Sequence, residues 1–267
     1  MSPGPGGGGG ARIGPATGGP IIELTGVSKS FHTKRLVVRA LDDVSLAVRR
    51  GELVTIIGPS GSGKSTLFNL IAGLLTPDDG TIRISSAPGR APAVSYMPQK
   101  DLLLPWLRVI DNAGLPLELQ GIPRADARQS VCEHLEAFGI DGFEMMYPNR
   151  LSGGMRQRAA LLRTVMVGSD VLLLDEPFGA LDALTRREMQ DWLLGLHARL
   201  GRTIVFITHD VDEAVYLADR VVVLSRRPGT VVDELVVPLE RPRSQRMVAL
   251  PEFGRSVARL LEAMGEL

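Results

Sequence analysis

The stretch Leu53-Val54-Thr55-Ile56-Ile57-Gly58-Pro59-Ser60-Gly61-Ser62-Gly63-Lys64-Ser65-Thr66 decides the fold. Its first five residues are a nearly unbroken apolar run, which reads as a strand covered on both faces. Glycines then punctuate a loop, and residues 67–72 resume as a helix-like segment. Strand, glycine loop and helix in that order form one unit of a parallel α/β sheet. Similar short runs bounded by Gly, Pro or Asp recur at 171–174, 203–207 and 221–224, with helix-like segments between them. Upstream, the runs at 21–24 and 44–48 lie close together without an intervening helix. They predict an antiparallel sheet at the N-terminal edge of an α/β core.

Between about Gln99 and Leu151 the strand signal vanishes and apolar residues take helical spacing, as in Ala127, Val131, Leu135 and Phe138 before Gly139. This predicts a helical subdomain, about 100–165, inserted into a domain spanning 21–240. A second stripe, Met189, Trp192, Leu193, Leu196 and Leu200, ends at Gly201 and reads as core. Residues 241–267 read as a C-terminal tail and helix. Residues 1–20, mostly Gly and Pro, lack the basic start and apolar centre of a secretory signal and are expected to be disordered.

The 267 residues are 44% hydrophobic, enough for a large core, and 30 basic residues balance 30 acidic ones. No global field draws the chain onto nucleic acid or anionic lipid, and no nucleic-acid partner is expected. Nowhere do eighteen apolar residues run together, so any membrane role is peripheral. The single cysteine, Cys132, cannot form an internal disulfide and is expected to be a buried structural thiol in a reducing cytosol.

The loop from Gly58 to Thr66, with Pro59, Ser60, Gly61, Ser62 and Gly63 between strand and Lys64, has the Walker A pattern. Its glycines let backbone N–H groups ring a β-phosphate, and the helix start adds its positive dipole end. Lys64 supplies a point charge to the β- and γ-phosphates, Ser65 a hydroxyl to Mg²⁺, and Thr66 a bond to the α-phosphate. Asp175-Glu176 close the strand at 171–174, where such sheets place their ligands. Asp175 is the candidate for holding Mg²⁺ through its water shell, and Glu176 for polarising an attacking water. Thr208-His209 end the next strand, which puts His209 within reach of a γ-phosphate and of Glu176. The plain structural readings are an acidic helix cap for the carboxylates and a structural histidine.

Leu151-Ser152-Gly153-Gly154-Met155-Arg156-Gln157-Arg158 precedes the Asp175 strand. Ser152 is a good N-cap, and Gly153 and Gly154 expose N–H groups at a helix start, a surface suited to phosphate. Together with the loop and the Asp-Glu pair, this segment resembles the signature of ABC transporter ATPases, over about residues 21–225. The resemblance implies an ATPase fold with an N-terminal antiparallel edge and a helical insertion. It also implies that the signature serves the γ-phosphate held by a second subunit, so that a head-to-tail pair buries two ATP molecules. By the same resemblance Phe31 stacks on adenine, a simple core phenylalanine being the alternative; Gln99 contacts Mg²⁺ and links the core to the helices; and Asp182, in Gly179-Ala180-Leu181-Asp182, faces the partner's cradle. Gly179 and Met155 depart from commoner family residues without touching the reacting phosphate.

The apolar run Asp101-Leu102-Leu103-Leu104-Pro105-Trp106 after Gln99 is either buried or a groove for a short helix of a membrane permease subunit. Residues 96–106, Met155 and Pro177-Phe178-Gly179-Ala180-Leu181-Asp182 look most like the importer ATPases for nitrate, sulfonate and taurine, with those for pyrimidine precursors close by. That resemblance implies permease partners, an extracytoplasmic binding protein acting indirectly, and a place on the cytoplasmic face of the plasma membrane. The basic cluster Arg241-Pro242-Arg243-Ser244-Gln245-Arg246 reads as solvated surface, or as a contact for lipid headgroups. A soluble ABC ATPase acting on nucleic acid or ribosomes would carry tandem cassettes or a long coiled coil. A small-molecule kinase would leave residues 151–158 without purpose.

Overall fold

The computed structural model describes residues 19–32, 36–85 and 93–267. Most of the predicted N-terminal tail, residues 1–18, lies outside them. Strands β1 (Ile22–His32) and β2 (Val37–Val48) lead to β3 (Leu53–Ile57), helix α1 (Lys64–Ile71), β4 (Asp79–Ile84) and β5 (Val94–Met97). Helices α2 (Val109–Leu119), α3 (Arg124–Cys132), α4 (Leu135–Phe138) and α5 (Gly153–Met166) follow without a strand. Then come β6 (Val171–Asp175), α6 (Ala183–Leu200), β7 (Thr203–Ile207), α7 (Val211–Leu217), β8 (Arg220–Leu224), β9 (Val231–Val236) and α8 (Pro251–Met264).

The strands make a three-stranded sheet ordered β2-β1-β4 and a six-stranded sheet ordered β5-β6-β7-β3-β8-β9. The first is antiparallel throughout, as predicted for the N-terminal edge. The second is parallel from β5 to β8, with β9 antiparallel at its edge. Every residue of β3, β6 and β7 is buried, which is why their sequences run apolar without alternation.

Successive side chains of these strands still point to opposite faces. Leu53, Ile57, Leu172, Leu174, Ile204 and Phe206 face the helical layer of α5 and α6. Val54, Ile56, Val171, Leu173, Val205 and Ile207 face the antiparallel sheet and Phe68 of α1. β3 is thereby clamped in the centre of the molecule, and the glycine loop that leaves it has a fixed base.

Strands β4, β5 and β9 escape sequence reading. β4 is Asp-Gly-Thr-Ile-Arg-Ile and mostly exposed, β5 has only four residues, and β9 carries Asp233 and Glu234 in its middle. The predicted stripe from Ala127 to Phe138 is split between α3 and α4, the latter closed by Gly139 in the left-handed region at φ 60°. Cys132 corrects the expectation of a buried thiol, being exposed. The inward positions of α3 are Ala127 and Val131, and one further residue turns about 100° round the helix toward solvent.

The basic cluster is also put to internal use. Arg243 donates to the Val215 and Tyr216 carbonyls at 2.9 and 2.8 Å, and Arg241 to the Leu217 carbonyl at 2.9 Å and to Asp219 at 2.7 Å. These guanidinium groups cap the carboxyl end of α7, satisfying carbonyls the helix leaves unpaired.

In the helical layer, Asp111 of α2 is buried and accepts from Arg124 and Arg128 of α3 at 3.2 and 2.8 Å. Burial works against its charge, but the two guanidinium groups outweigh it and hold its carboxyl below the usual range. A depressed folded pKa stabilises the fold above the unfolded value near ~4 and ceases to as pH falls through the folded value. D111A is therefore expected to lower the thermal midpoint by about 2–5 °C at neutral pH. That gap should close in acid below about pH 4, which melting curves across pH would check.

Candidate functional site

The carboxyl ends of β5, β6, β7 and β3 lie side by side, and each carries a polar residue onto the same edge of the sheet. A cleft of about 660 Å³ opens there, lined by Phe31, Val38, Ala40, Ser60, Gly61, Ser62, Gly63, Lys64, Ser65, Thr66, Gln99, Glu176, His209 and Arg227.

The loop takes its form from close approach of backbones. A Cβ on Gly58 (φ 154°) would lie 2.6 Å from the Leu224 carbonyl, and one on Gly63 (φ 97°) 2.8 Å from that of Ala40. Lys64 folds back over the loop, its Nζ donating to the carbonyls of Gly58 at 2.7 Å and Pro59 at 3.0 Å. Burial lowers the Lys64 pKa, and the charges of Glu176 and Asp175 oppose that shift. Asp175 is buried beside it and accepts from the Tyr96 hydroxyl at 3.1 Å and from Ser65. Its carboxyl is raised, chiefly by burial, with Glu176 adding repulsion and the hydroxyl bonds and Lys64 opposing.

Glu176 Oε2 accepts from Gln99 Nε2 at 3.0 Å and meets His209 Nδ1 at 3.2 Å. Its backbone is left-handed, φ 44°, which is unfavourable for a residue with a Cβ and is held by its N–H bond to the Ile207 carbonyl at 2.9 Å. A carboxylate so fixed between a donor amide and an imidazole, in one cleft with Lys64 and the glycine loop, can take a proton from water in front of a bound phosphate.

Phe31 stands at the rim, 39% exposed, and is not a core residue. Gly58, Pro59 and Asp175 support the cleft from below. Ser152, Gly153, Gly154 and Asp182 do not line it. Ser152 caps α5, accepting from the Met155 N–H at 3.3 Å, and Gly153 opens on a different cleft of about 380 Å³ with Gln99, Asp101, Leu102, Arg156 and Leu181. Asp182 caps α6 through the Leu184 and Thr185 N–H groups, both at 3.1 Å. Sequence reading missed Val38, Ala40 and Arg227. They come from β2 and from the turn after β8, and no local pattern marks them.

The family model described as "ABC transporter" matches residues 41–179. The nitrate import ATP-binding protein NrtD of Synechocystis sp. is 42% identical over 242 residues, covering 87% of this chain and 90% of that protein. The aliphatic sulfonates import ATP-binding protein SsuB of Bacillus cereus is 39% identical, over 91% of this chain and 97% of its own length. Among solved structures, the dimeric post-hydrolysis state of the ATP-binding cassette MJ0796, bound to ADP and phosphate, superposes with a TM-score of 0.70 at 29% identity, over 82% of this chain and all of that one. With the glycine loop, the paired carboxylates and the Ser152 helix start on one such scaffold, the chain belongs to the ABC transporter family as an ATP-binding, ATP-hydrolysing subunit.

Proposed function

We propose that the chain powers an importer for a small anionic or zwitterionic solute of the nitrate, sulfonate or taurine kind, working as a head-to-tail pair beneath separate permease subunits. The import proteins it resembles support the direction and the cargo class. The observation that carries the pairing is that the Ser152 helix start does not line the phosphate cleft of its own chain, Gly153 opening instead on the neighbouring cleft, with Gln99 bordering both. N–H groups at a helix start suit a phosphate, and the phosphate they would serve lies in a second copy. The MJ0796 cassette, solved as a dimer bound to ADP and phosphate, supports a paired form.

In this reading the loop 58–66 rings the β-phosphate, Lys64 neutralises the β- and γ-phosphates, and Thr66 holds the α-phosphate. Phe31 stacks on the base. Glu176 draws a proton from water as its oxygen attacks the γ-phosphorus and the bond to the bridging oxygen breaks. Gln99 and His209 hold that carboxylate in place. Ser152, Gly153, Gly154 and Asp182 act on the partner's nucleotide.

Ser65, Gln99 and Asp175 offer oxygen donors only, and the described residues hold no group of three or more His, Cys, Asp or Glu that could cage a metal. That donor set fits Mg²⁺, which takes few protein ligands and fills its shell with phosphate and water. When bound, the ion would neutralise charge on the phosphates.

Residues about 100–165 would move as a subdomain of the 21–240 ATPase domain. Leu102 and Trp106, 57% and 69% exposed, offer apolar surface beside Gln99 to a permease helix, whereas Leu103 is buried. No helix among the described residues is long and apolar enough to cross a membrane, in keeping with peripheral attachment at the cytoplasmic face. An extracytoplasmic binding protein would deliver cargo without touching this chain.

G153D tests the pairing. Aspartate suits the first turn of α5, and the nearest neighbour of its Cβ is the end of Leu181 at 3.2 Å, so the fold survives. A carboxylate facing the partner's γ-phosphate should leave MgATP binding by single chains intact and lower hydrolysis about tenfold or more through repulsion. Parental hydrolysis by G153D, measured as phosphate release, would remove the pairing.

A further inference from the structure

The turn joining β8 to β9, residues 225–230, reaches the cleft, yet none of the roles above uses it. Arg227 lines the cleft beside Gly61 and Ser62, and its Nε donates to the Gly61 carbonyl at 3.1 Å. Gly229 is pinned to β2: its N–H donates to the Ala40 carbonyl at 2.9 Å, and its carbonyl accepts from the Asp42 N–H at 3.0 Å. Ser225 closes the turn, its N–H donating to the Thr230 carbonyl at 2.9 Å and its hydroxyl accepting from the Thr230 N–H at 3.0 Å.

A Cβ on Gly229 would lie 2.0 Å from the Ser62 carbonyl oxygen and 3.2 Å from Leu41 Cδ2. Its φ is not in the left-handed region, so space rather than conformation demands glycine. On the other side, a Cβ on Gly63 would meet the same Leu41 atom at 2.7 Å. β2, the turn and the phosphate loop are therefore stacked with no room for a side chain between their backbones.

A loop that gives N–H groups to a phosphate must turn carbonyls away from it. The turn engages two of these carbonyls: Arg227 bonds the first, at Gly61, and Gly229 abuts the second, at Ser62. We propose that Arg227 is a positioning residue of the phosphate loop, and that the turn fixes the loop's shape and its place relative to the sheet that carries Phe31. The proposal rests on the reading of residues 58–66 as the phosphate cradle. The Arg227 bond is charge-assisted, and it is made to the loop rather than to Glu176, Gln99 or His209. Its loss should weaken nucleotide binding while sparing the chemical step.

Steady-state MgATP hydrolysis by the full chain tests this. R227A should raise KM about tenfold, with kcat within about threefold of the parent, since one charged hydrogen bond is lost. R227K, whose ammonium can donate to the same carbonyl, should bring KM back to within about threefold. G229A, which must displace the Ser62 backbone, should raise KM further than R227A. A parental KM in R227A, a fall in kcat at constant KM, or failure of R227K to restore KM, or to restore folding should R227A lose it, each overturns the proposal. K64A measured alongside separates the two readings. Parental activity in K64A removes the cradle itself, whereas an inactive K64A beside a parent-like R227A removes only the role of Arg227.

Discussion

Glu176→Gln is expected to bind MgATP and hydrolyse it about a thousandfold more slowly than the parent, within the range a positioned general base contributes. The amide is nearly isosteric with the carboxylate. Its oxygen still accepts from Gln99 or His209, both of which lie within hydrogen-bond reach of Glu176 Oε2. What disappears is the basic oxygen that, in the proposed role of Glu176, removes a proton from water. With hydrolysis blocked, the nucleotides stay between the two subunits, and sedimentation in MgATP should show a dimer that dissociates when MgATP is withdrawn. Rapid hydrolysis by this variant would take the base away from Glu176. A monomer in saturating MgATP would take away the sandwich.

Lys64→Ala should act at the earlier step, lowering MgATP affinity about a hundredfold and hydrolysis with it. The ammonium lies over the loop, bonded to the Gly58 and Pro59 carbonyls, and in the proposed role it is also the counter-charge for phosphate. It does so at an energetic cost, because burial disfavours its charged form. Anionic phosphate would relieve that cost, which is why the loss should appear in affinity. Calorimetric titration with MgATP separates this variant from E176Q, which should bind like the parent.

The reach of sequence reading follows from how local each feature is. The loop from Gly58 to Thr66 is legible because its chemistry needs contiguous residues between a buried strand and a helix. Glu176 and His209 are legible because strand ends mark an edge of a parallel sheet, and the structure brings both to one cleft with Gln99. β4 and β9 are hidden by their charged and exposed residues, since a strand at a sheet margin has only part of its surface to bury. The burial expected of Cys132 rests on its residue type alone, whereas the stripe of Ala127 and Val131, which does face inward, leaves position 132 about 100° off it. Arg227 and Gly229 carry no local signal, for they matter only where two distant backbones come within touching distance. Arg241 and Arg243 look like solvated charge in a sequence, yet their partners are carbonyls 24 to 28 residues away.

Those two arginines give the chain's last stretch a duty that its appearance as an appendage conceals. The final turn of α7 lies one short helix away from His209, and its carbonyls are stoppered by groups that arrive only after β9 has been laid down. As synthesis proceeds, those carbonyls stay without these partners until the polypeptide has emerged beyond residue 243, so that the carboxyl end of α7 is completed only late in assembly.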